Sequence, residues 1–341
     1  MVDTNVRKEV KRKTLRLKFI GFWSEFDPDK FKLTQILKKH FDVEICNNPD
    51  YVICSCIGDF YEFVQYPQVR IQYIGENYIP DMNVIDYSIS PYPVQFLDRC
   101  FHLPQSMKAD KENAYLVRRT KAEVQFGKEI LAEKTIFANF CSSHESEYNI
   151  RGDFFKQLCQ YKKVDSIGTY LNNTGVYVKG SDGSKREYQT KCKFSLCFES
   201  TSHAGFNTEK IVDAFAANTI PVYYGDPYIN DIFNPKAFIN IADYDSFDAA
   251  IQKIIELDNN DEKYLEILNQ PIFVDPTYPA RLEQEYEAFL VHIFEQPLEK
   301  AYRRSRVYFA GYYNSFLQKC YKIWYSPFLQ LAIKAKKKLF R

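Results

Sequence analysis

Thr208, Glu209 and Lys210 stand together at the start of a helical pattern. A cation in a first helical turn opposes the helix dipole, which favours anions there. Backbone N–H groups at a helix start, joined by a lysine, form an arrangement suited to a diphosphate. A solvated lysine pointing away from the helix axis is the other reading that this spacing permits. Far upstream, Glu76 lies in Gly75-Glu76-Asn77, just past an apolar run. Open α/β sheets place ligands beyond strand ends, although a lone loop glutamate is ordinarily solvated.

The elements around the triplet follow from local pattern. Phe194 to Phe198 is an apolar run of strand length, and Glu199 to Asn207 is polar and turn-rich. From Thr208 onward, Ile211, Val212, Ala214 and Phe215 recur at helical spacing. Asn218 is suited to close that helix in the left-handed conformation. Ile220 to Tyr224 then reads as a second strand, stopped by Gly225. Strand, loop, helix and strand make a βαβ unit, which implies a parallel sheet.

Upstream, strands are expected over 15–23, 41–45, 51–57 and 69–74, with a helix over 29–40. Their alternation predicts a second Rossmann-like domain. Residues 88–134 are irregular, with Pro91, Pro93 and Pro104, and read as loops and a connector. Thr135 to Phe140 starts a new domain as a strand, and Arg151 opens a helix carrying Phe154, Phe155 and Leu158. Ser246 is placed to cap a further helix, and another is expected over 281–295.

The 341-residue chain is long enough for two domains, and its 45% hydrophobic and 16% aromatic content excludes a disordered chain. Nine cysteines without a CxxC pair argue against a disulfide framework or a zinc site and suit a reducing cytosol. No apolar run reaches membrane-spanning length, and the first residues lack a signal-peptide core. Asp27-Pro28-Asp29 and Asp243-Tyr244-Asp245 have D-x-D spacing, but aspartates at turns and helix starts are common. Residues 300–341 hold eleven of the 45 Lys/Arg and none of the 44 Asp/Glu, so the rest of the chain is net negative. From Tyr302 this segment carries Phe309, Tyr312, Tyr313, Phe316, Cys320 and Trp324 near one helical face. A basic aromatic amphipathic segment suits an anionic membrane surface; docking on the acidic body of the same chain is the alternative. No nucleic-acid-binding motif accompanies the charge.

The block FSLCFESTSHAGFNTEKIVDAFAANTIPVYYGDP closely resembles the donor-binding signature of α-1,3-fucosyltransferases, glycosyltransferase family 10. That signature runs F-x-L-x-F-E-N-S, a short variable loop, Y-x-T-E-K, then P-V/I-x-x-G. Phe233-Asn234-Pro235-Lys236, Phe238-Ile239-Asn240 and Asp243-Tyr244 also resemble bacterial members. Two positions depart: Ser200 stands for the usual Asn, and Phe206 for the usual Tyr, which removes a hydroxyl able to contact the donor. Gly75-Glu76-Asn77, followed by Asp86-Tyr87, resembles a G-E-N whose glutamate is the family's proposed catalytic base. Ser143 and Arg151 match family positions of similar type. The basic residue many members carry shortly after the strand at 164–168 has no match in Thr169-Tyr170-Leu171.

The resemblance implies an α/β, GT-B-like fold: two Rossmann-like domains with an interdomain cleft, plus a C-terminal basic amphipathic helical tail. Residues 1–134 would form the acceptor-binding domain, 135–298 the donor domain and 299–341 the tail, with the late helix packing back on the first domain. It implies inverting transfer of L-fucose from GDP-β-L-fucose to a GlcNAc hydroxyl, in α-1,3 linkage, on a galactosyl-GlcNAc unit of a surface glycan, with a lipid-linked acceptor as one form. Glu76 would be the base, its pKa raised by burial. Lys210 would meet the diphosphate and Glu209 the ribose or fucose. Thr208, Ser200, Phe206, Arg151 and Ser143 would complete the donor site. No obligate cofactor or divalent metal is implied. The tail, 302–341, would hold the protein on the inner face of the cytoplasmic membrane. Alternatives are a transferase of the same fold using another nucleotide sugar or acceptor, and an inactive membrane-associated glycan-binding protein.

Overall fold

The computed structural model describes residues 12–59, 61–178 and 183–339, except for the side chains of 334–339. The basic stretch 1–11 and the tail lysines Lys334 and Lys336 to Lys338 therefore lie outside the described residues or side chains. The chain divides into two compact units, one of residues 1–90, 94–102 and 283–341, the other of 91–93 and 103–282.

The first unit contains β1 (Thr14–Ile20), α1 (Lys32–His40), β2 (Asp42–Ile45), β3 (Tyr51–Cys54), β4 (Val69–Tyr73), β5 (Tyr87–Ser90) and β6 (Cys100–His102). The strands form one parallel sheet in the order β2-β1-β3-β4-β5-β6. All four residues of β3 are buried, as expected of a parallel strand covered on both faces. β1 stops at Ile20, short of the predicted Trp23. Gly21 turns the chain with φ +71°, and a Cβ there would stand 2.7 Å from the Ser55 carbonyl oxygen. The helix predicted from Asp29 begins only at Lys32. Asp27 first closes a turn by accepting from the Asp29 N–H at 3.0 Å. Beside it, Phe22 stacks on Phe26 at 4.0 Å and Phe31 packs edge-on to both.

The second unit contains α2 (Asp110–Thr120), α3 (Glu129–Glu133), β7 (Ile136–Phe140), α4 (Ile150–Leu158), β8 (Val164–Ser166), α5 (Ser184–Thr190), β9 (Cys192–Phe198), α6 (Glu209–Ala216), β10 (Ile220–Tyr224), β11 (Ile239–Asn240), α7 (Phe247–Asp258) and α8 (Asp261–Leu268). Its five strands are parallel in the order β11-β10-β9-β7-β8. The predicted βαβ unit is β9-α6-β10, with Phe194 opposite Ile220 and Phe198 opposite Tyr224. Asn218 has φ +55°, the left-handed closure expected of it. Ser246 caps α7 by accepting from the Ala249 N–H at 3.2 Å. The core beneath this sheet joins Phe154, Phe194, Phe198, Val222, Ile254 and Tyr264.

This grouping sets α2 and α3 with the second unit, whereas the boundary expected from the sequence, at residue 134, places them with the first. Arg119 of α2 accounts for the placement. It is buried, and its guanidinium donates to the Phe215 carbonyl at 2.7 Å and to that of Leu268.

The chain re-enters the first unit along α9 (Tyr278–Glu295), followed by α10 (Leu298–Ala301), α11 (Tyr308–Trp324) and α12 (Pro327–Leu339). The late helix does pack back on the first unit: Phe294 meets Tyr51 at 4.7 Å and Phe289 stacks on Phe101 at 5.4 Å. Regular alternation of strand and helix, expected there, is not what forms. Among its described residues, the β3–β4 crossover holds only a 3-10 turn, Glu62–Gln65. Cover for the sheet comes instead from the C-terminal return, because long-range burial rather than sequence neighbourhood decides which surface meets which. One edge of α11 docks by Leu317 and Tyr321 on the cluster of Ile20, Val52, Cys54, Phe63 and Val64. The side-chain Oδ1 of Asn314 accepts from the Arg70 guanidinium at 2.8 Å. Phe309, Tyr312, Phe316 and Trp324 of the same helix remain exposed.

Candidate active site

The second sheet reverses its order of winding between β7 and β9. Loops leaving adjacent strands diverge at such a switch point, and open α/β sheets bind ligands there. The two loops concerned are 141–149, after β7, and 199–208, after β9. They carry Ser143, Ser200, Phe206 and Thr208, with Arg151, Glu209 and Lys210 on the helices that follow.

Glu199 is the first residue beyond β9 and is fully buried. Its carboxylate accepts from the Thr208 N–H at 2.7 Å and from the Thr208 hydroxyl at 2.9 Å. Lys210 Nζ lies 2.9 Å from Glu199 Oε2 and 2.9 Å from Thr208 Oγ1. The lysine is thus turned back over the helix start, and the solvated alternative is not what the fold selects. Burial works against its charge, but Glu199 and Glu209 outweigh that and raise its pKa. Thr208 caps α6 as well, accepting from the Lys210 N–H. One threonine therefore closes the helix and joins the buried carboxylate to the cation.

Glu209 is exposed at the same helix start. Its surroundings disfavour the charge, but Lys210 and then Lys185 hold the carboxyl below its ordinary value. Lys185, on α5, is buried and paired with Asp213 at 2.9 Å. Sequence reasoning did not single it out, since nothing in Ser184-Lys185-Arg186 marks which cation folds inward. It adds a second positive charge beside the α6 start.

Arg151 is buried and fully engaged. Its guanidinium donates to the Phe198 carbonyl at 2.8 and 3.1 Å, to Ser142 Oγ at 3.0 Å and to the His144 carbonyl at 3.0 Å. It ties the loop after β7 to the end of β9. Ser143 is exposed, and its carbonyl accepts from Thr169 Oγ1 at 3.2 Å. Ser200 is half-buried, and its carbonyl accepts from the Glu147 N–H at 2.9 Å. Phe206 is buried and stacked on Tyr92 at 5.9 Å.

Asp226, beyond β10, fixes the same loop. Its carboxylate accepts from the Gly205 N–H at 2.8 Å and from Asn207 Nδ2 at 2.7 Å. Gly205 has φ +77°, and a Cβ on Gly225 would stand 2.5 Å from Glu199 Cγ. Sequence reasoning missed Glu199 and Asp226, although both lie within the signature block. Their signal was their position at the ends of two neighbouring strands.

In the first unit, Glu76 lies three residues past β4, in a turn closed by the Tyr78 N–H donating to the Glu76 carbonyl at 2.8 Å. The burial expected of it is not found: its side chain is exposed, because this turn directs it outward. Among the described residues, no three His, Cys, Asp or Glu side chains converge as metal ligands would. No described helix is long and apolar enough to cross a membrane.

Residues 131–270 match the model of glycosyltransferase family 10 (fucosyltransferase) C-term, and residues 17–107 match the α-(1,3)-fucosyltransferase FucT N-terminal domain. An α-(1,3)-fucosyltransferase FucT of Helicobacter pylori is 30% identical over 288 residues, 74% of this chain. The chain spans 59% of that relative's length. The human 4-galactosyl-N-acetylglucosaminide 3-α-L-fucosyltransferase 9 is 31% identical over 126 residues, 36% of this chain and 34% of its own. A crystal structure of an α1,3-fucosyltransferase superimposes with a TM-score of 0.68 at 25% identity, covering 90% of this chain and 96% of the other. An α1,3-fucosyltransferase structure with GDP-fucose gives 0.63 at 26% identity, covering 82% and 92%. These likenesses agree with the two parallel sheets in giving an α/β, GT-B-like fold, and with the order of the two matched segments they show that the chain belongs to glycosyltransferase family 10, the fucosyltransferases.

Proposed function

We propose that the protein is an inverting α-1,3-fucosyltransferase that uses GDP-β-L-fucose. The observation that carries the reading is the Glu199–Thr208–Lys210 assembly at the α6 start, beside the switch point of the second sheet. It offers a fixed cation and helix N–H groups to a diphosphate. A similar solved structure holds GDP-fucose. In this reading Lys210 meets the diphosphate, Glu209 the ribose or fucose, and Thr208 and Ser200 give shorter polar contacts. Charge neutralisation is assigned to lysine rather than to a divalent metal. Arg151 and Phe206 shape the two loops from within.

The acceptor oxygen attacks the anomeric carbon as the bond from that carbon to the β-phosphate oxygen breaks. Glu76 takes the acceptor's hydroxyl proton, GDP leaves with the bonding electrons, and the β-linked donor yields an α-fucoside. Base catalysis of this kind is worth about 10²–10⁴-fold, and stabilising charge on the departing diphosphate at least as much. Glu76 is exposed, so in this reading the acceptor supplies its desolvation. The human relative, a 4-galactosyl-N-acetylglucosaminide 3-α-L-fucosyltransferase, supports a galactosyl-N-acetylglucosaminide acceptor, here on a surface glycan. The exposed aromatic edge of α11, with Lys322 and no acidic residue, supports peripheral attachment to an anionic membrane from the cytoplasmic side.

The test is GDP release from GDP-fucose with N-acetyllactosamine, comparing the wild type with Glu76→Ala. Turnover lost in the variant with GDP affinity retained is the expected result. Turnover equal in both removes Glu76 as base. No turnover in either, with GDP-fucose still bound, directs the search to other acceptors.

A further inference from the structure

The first unit holds a cavity of about 670 Å³ at the start of α11, lined among others by Arg70, Arg304, Arg306, Tyr308, Tyr312 and Ser315. Three guanidinium groups thus surround one space. Among their described ion pairs there is one, between Arg304 and the buried Asp86. Asp86 also accepts from the Arg70 backbone N–H at 2.8 Å. Burial, and after it the charge of Arg304, works against the proton on Arg70, with Asp86 opposing them. The group is therefore short of negative charge.

Two of the three arginines are rigid. Arg70 donates to the carbonyls of Tyr66, Val84 and Val64 and to Asn314. Arg304 donates to those of Pro67 and Gln68. They supply a fixed positive field at no further ordering cost. Arg306 is different. It is exposed, stacked over the Tyr302 ring at 3.5 Å, and has no ion pair with a described carboxylate. Ser315, two turns into α11, is exposed and lines the same cavity. The first turn of α11 has neither a side-chain cap nor an acidic residue, so its N–H end adds to the same field.

Cavities of roughly 300–1,000 Å³ suit small organic ligands, and this one exceeds what a bare phosphate fills. Tyr308 and Tyr312 offer ring faces to an organic portion. We propose that this cavity binds a phosphate ester, the phosphate between Arg306 and the α11 start and the organic portion against the two tyrosines. A phospholipid headgroup and a soluble phosphate ester share this chemistry. The headgroup source rests on the membrane attachment proposed above, and the soluble source does not.

The experiment uses the full chain as wild type, Arg306→Glu, Ser315→Glu and Lys319→Glu. Lys319 is exposed on α11 but does not line the cavity. Calorimetry measures glycerol 3-phosphate binding. Co-sedimentation measures binding to phosphatidylcholine vesicles with and without phosphatidylglycerol. Losing a charge-assisted contact predicts weakening of about tenfold or more in Arg306→Glu and Ser315→Glu, with much less in Lys319→Glu. Fucosyl transfer to a soluble acceptor should be unchanged in all three variants, which shows that they fold. Glycerol 3-phosphate binding with this variant pattern identifies a soluble source, and the site then stands even if vesicles are not bound. The same pattern with phosphatidylglycerol vesicles alone identifies a headgroup. Equal weakening by all three variants overturns the site and leaves general surface attraction. Binding of neither probe also overturns it.

Discussion

Lys210 Nζ stands 2.9 Å from Glu199 Oε2, a carboxylate with no solvent exposure. The pair joins the end of a strand to the first turn of the helix that follows it, with Thr208 bonded to both partners. Charge on Lys210 is thereby kept and its direction fixed. Preorganisation of this kind avoids reorganisation during reaction.

Replacing Glu199 by Gln leaves a partly buried cation without its counter-charge. Breaking a buried pair costs roughly 3–5 kcal/mol. The partial exposure of Lys210 discounts this, and about 2–3 kcal/mol of lost stability is expected. Denaturant unfolding measures it. A loss below about 0.5 kcal/mol would show that the pair is not what fixes the helix start.

Lys210→Ala removes the cation assigned to the diphosphate. GDP affinity and kcat/KM should both fall, kcat/KM by about 10²–10³-fold. Titration calorimetry with GDP and initial rates with GDP-fucose report the two. Unaltered GDP affinity revives the reading of a glycan-binding protein with a degenerate site.

Arg151→Ala should act through stability. The guanidinium bridges the loop after β7 to the Phe198 carbonyl, so its loss leaves several buried acceptors unpaired. A cost of about 2–4 kcal/mol follows, with Arg151→Lys recovering little because a lysine cannot span the same set. Thermal unfolding decides this. An unchanged Tm with weakened donor binding would make Arg151 a direct ligand contact.

The Glu209 carboxyl is held below its ordinary value of 4.5: its surroundings disfavour the charge, but Lys210 and Lys185 outweigh them. A depressed acid contributes stability above its unfolded pKa and loses it as pH falls through the folded value. Wild type should therefore lose stability more steeply than Glu209→Gln as pH drops below about 4.5. Parallel acid titrations followed by fluorescence test this, and coincident curves would count against the coupling.

Much of the second unit was legible in the sequence because its information is local. β9, α6 and β10 are adjacent in the chain, their apolar periods are distinct, and Thr208 and Asn218 mark the helix ends. A capped amphipathic helix between two apolar strands permits few topologies, and the chemical residues stand inside that segment. Residues 88–134 stayed unreadable for the opposite reason. The α2 pattern is weak by itself, and what places it is Arg119 reaching carbonyls far along the chain.

The sequence by itself determined two parallel sheets and the βαβ unit at whose helix start Thr208, Glu209 and Lys210 stand together. Tertiary structure alone decided that Lys210 turns inward to Glu199, that Lys185 is buried beside it, and that Arg151 is spent on carbonyls. It also decided that the C-terminal return supplies the cover that the first sheet lacks locally, and that Glu76 is exposed. Side-chain direction and burial are set by surfaces brought together from distant parts of the chain, and local periodicity carries no record of that pairing.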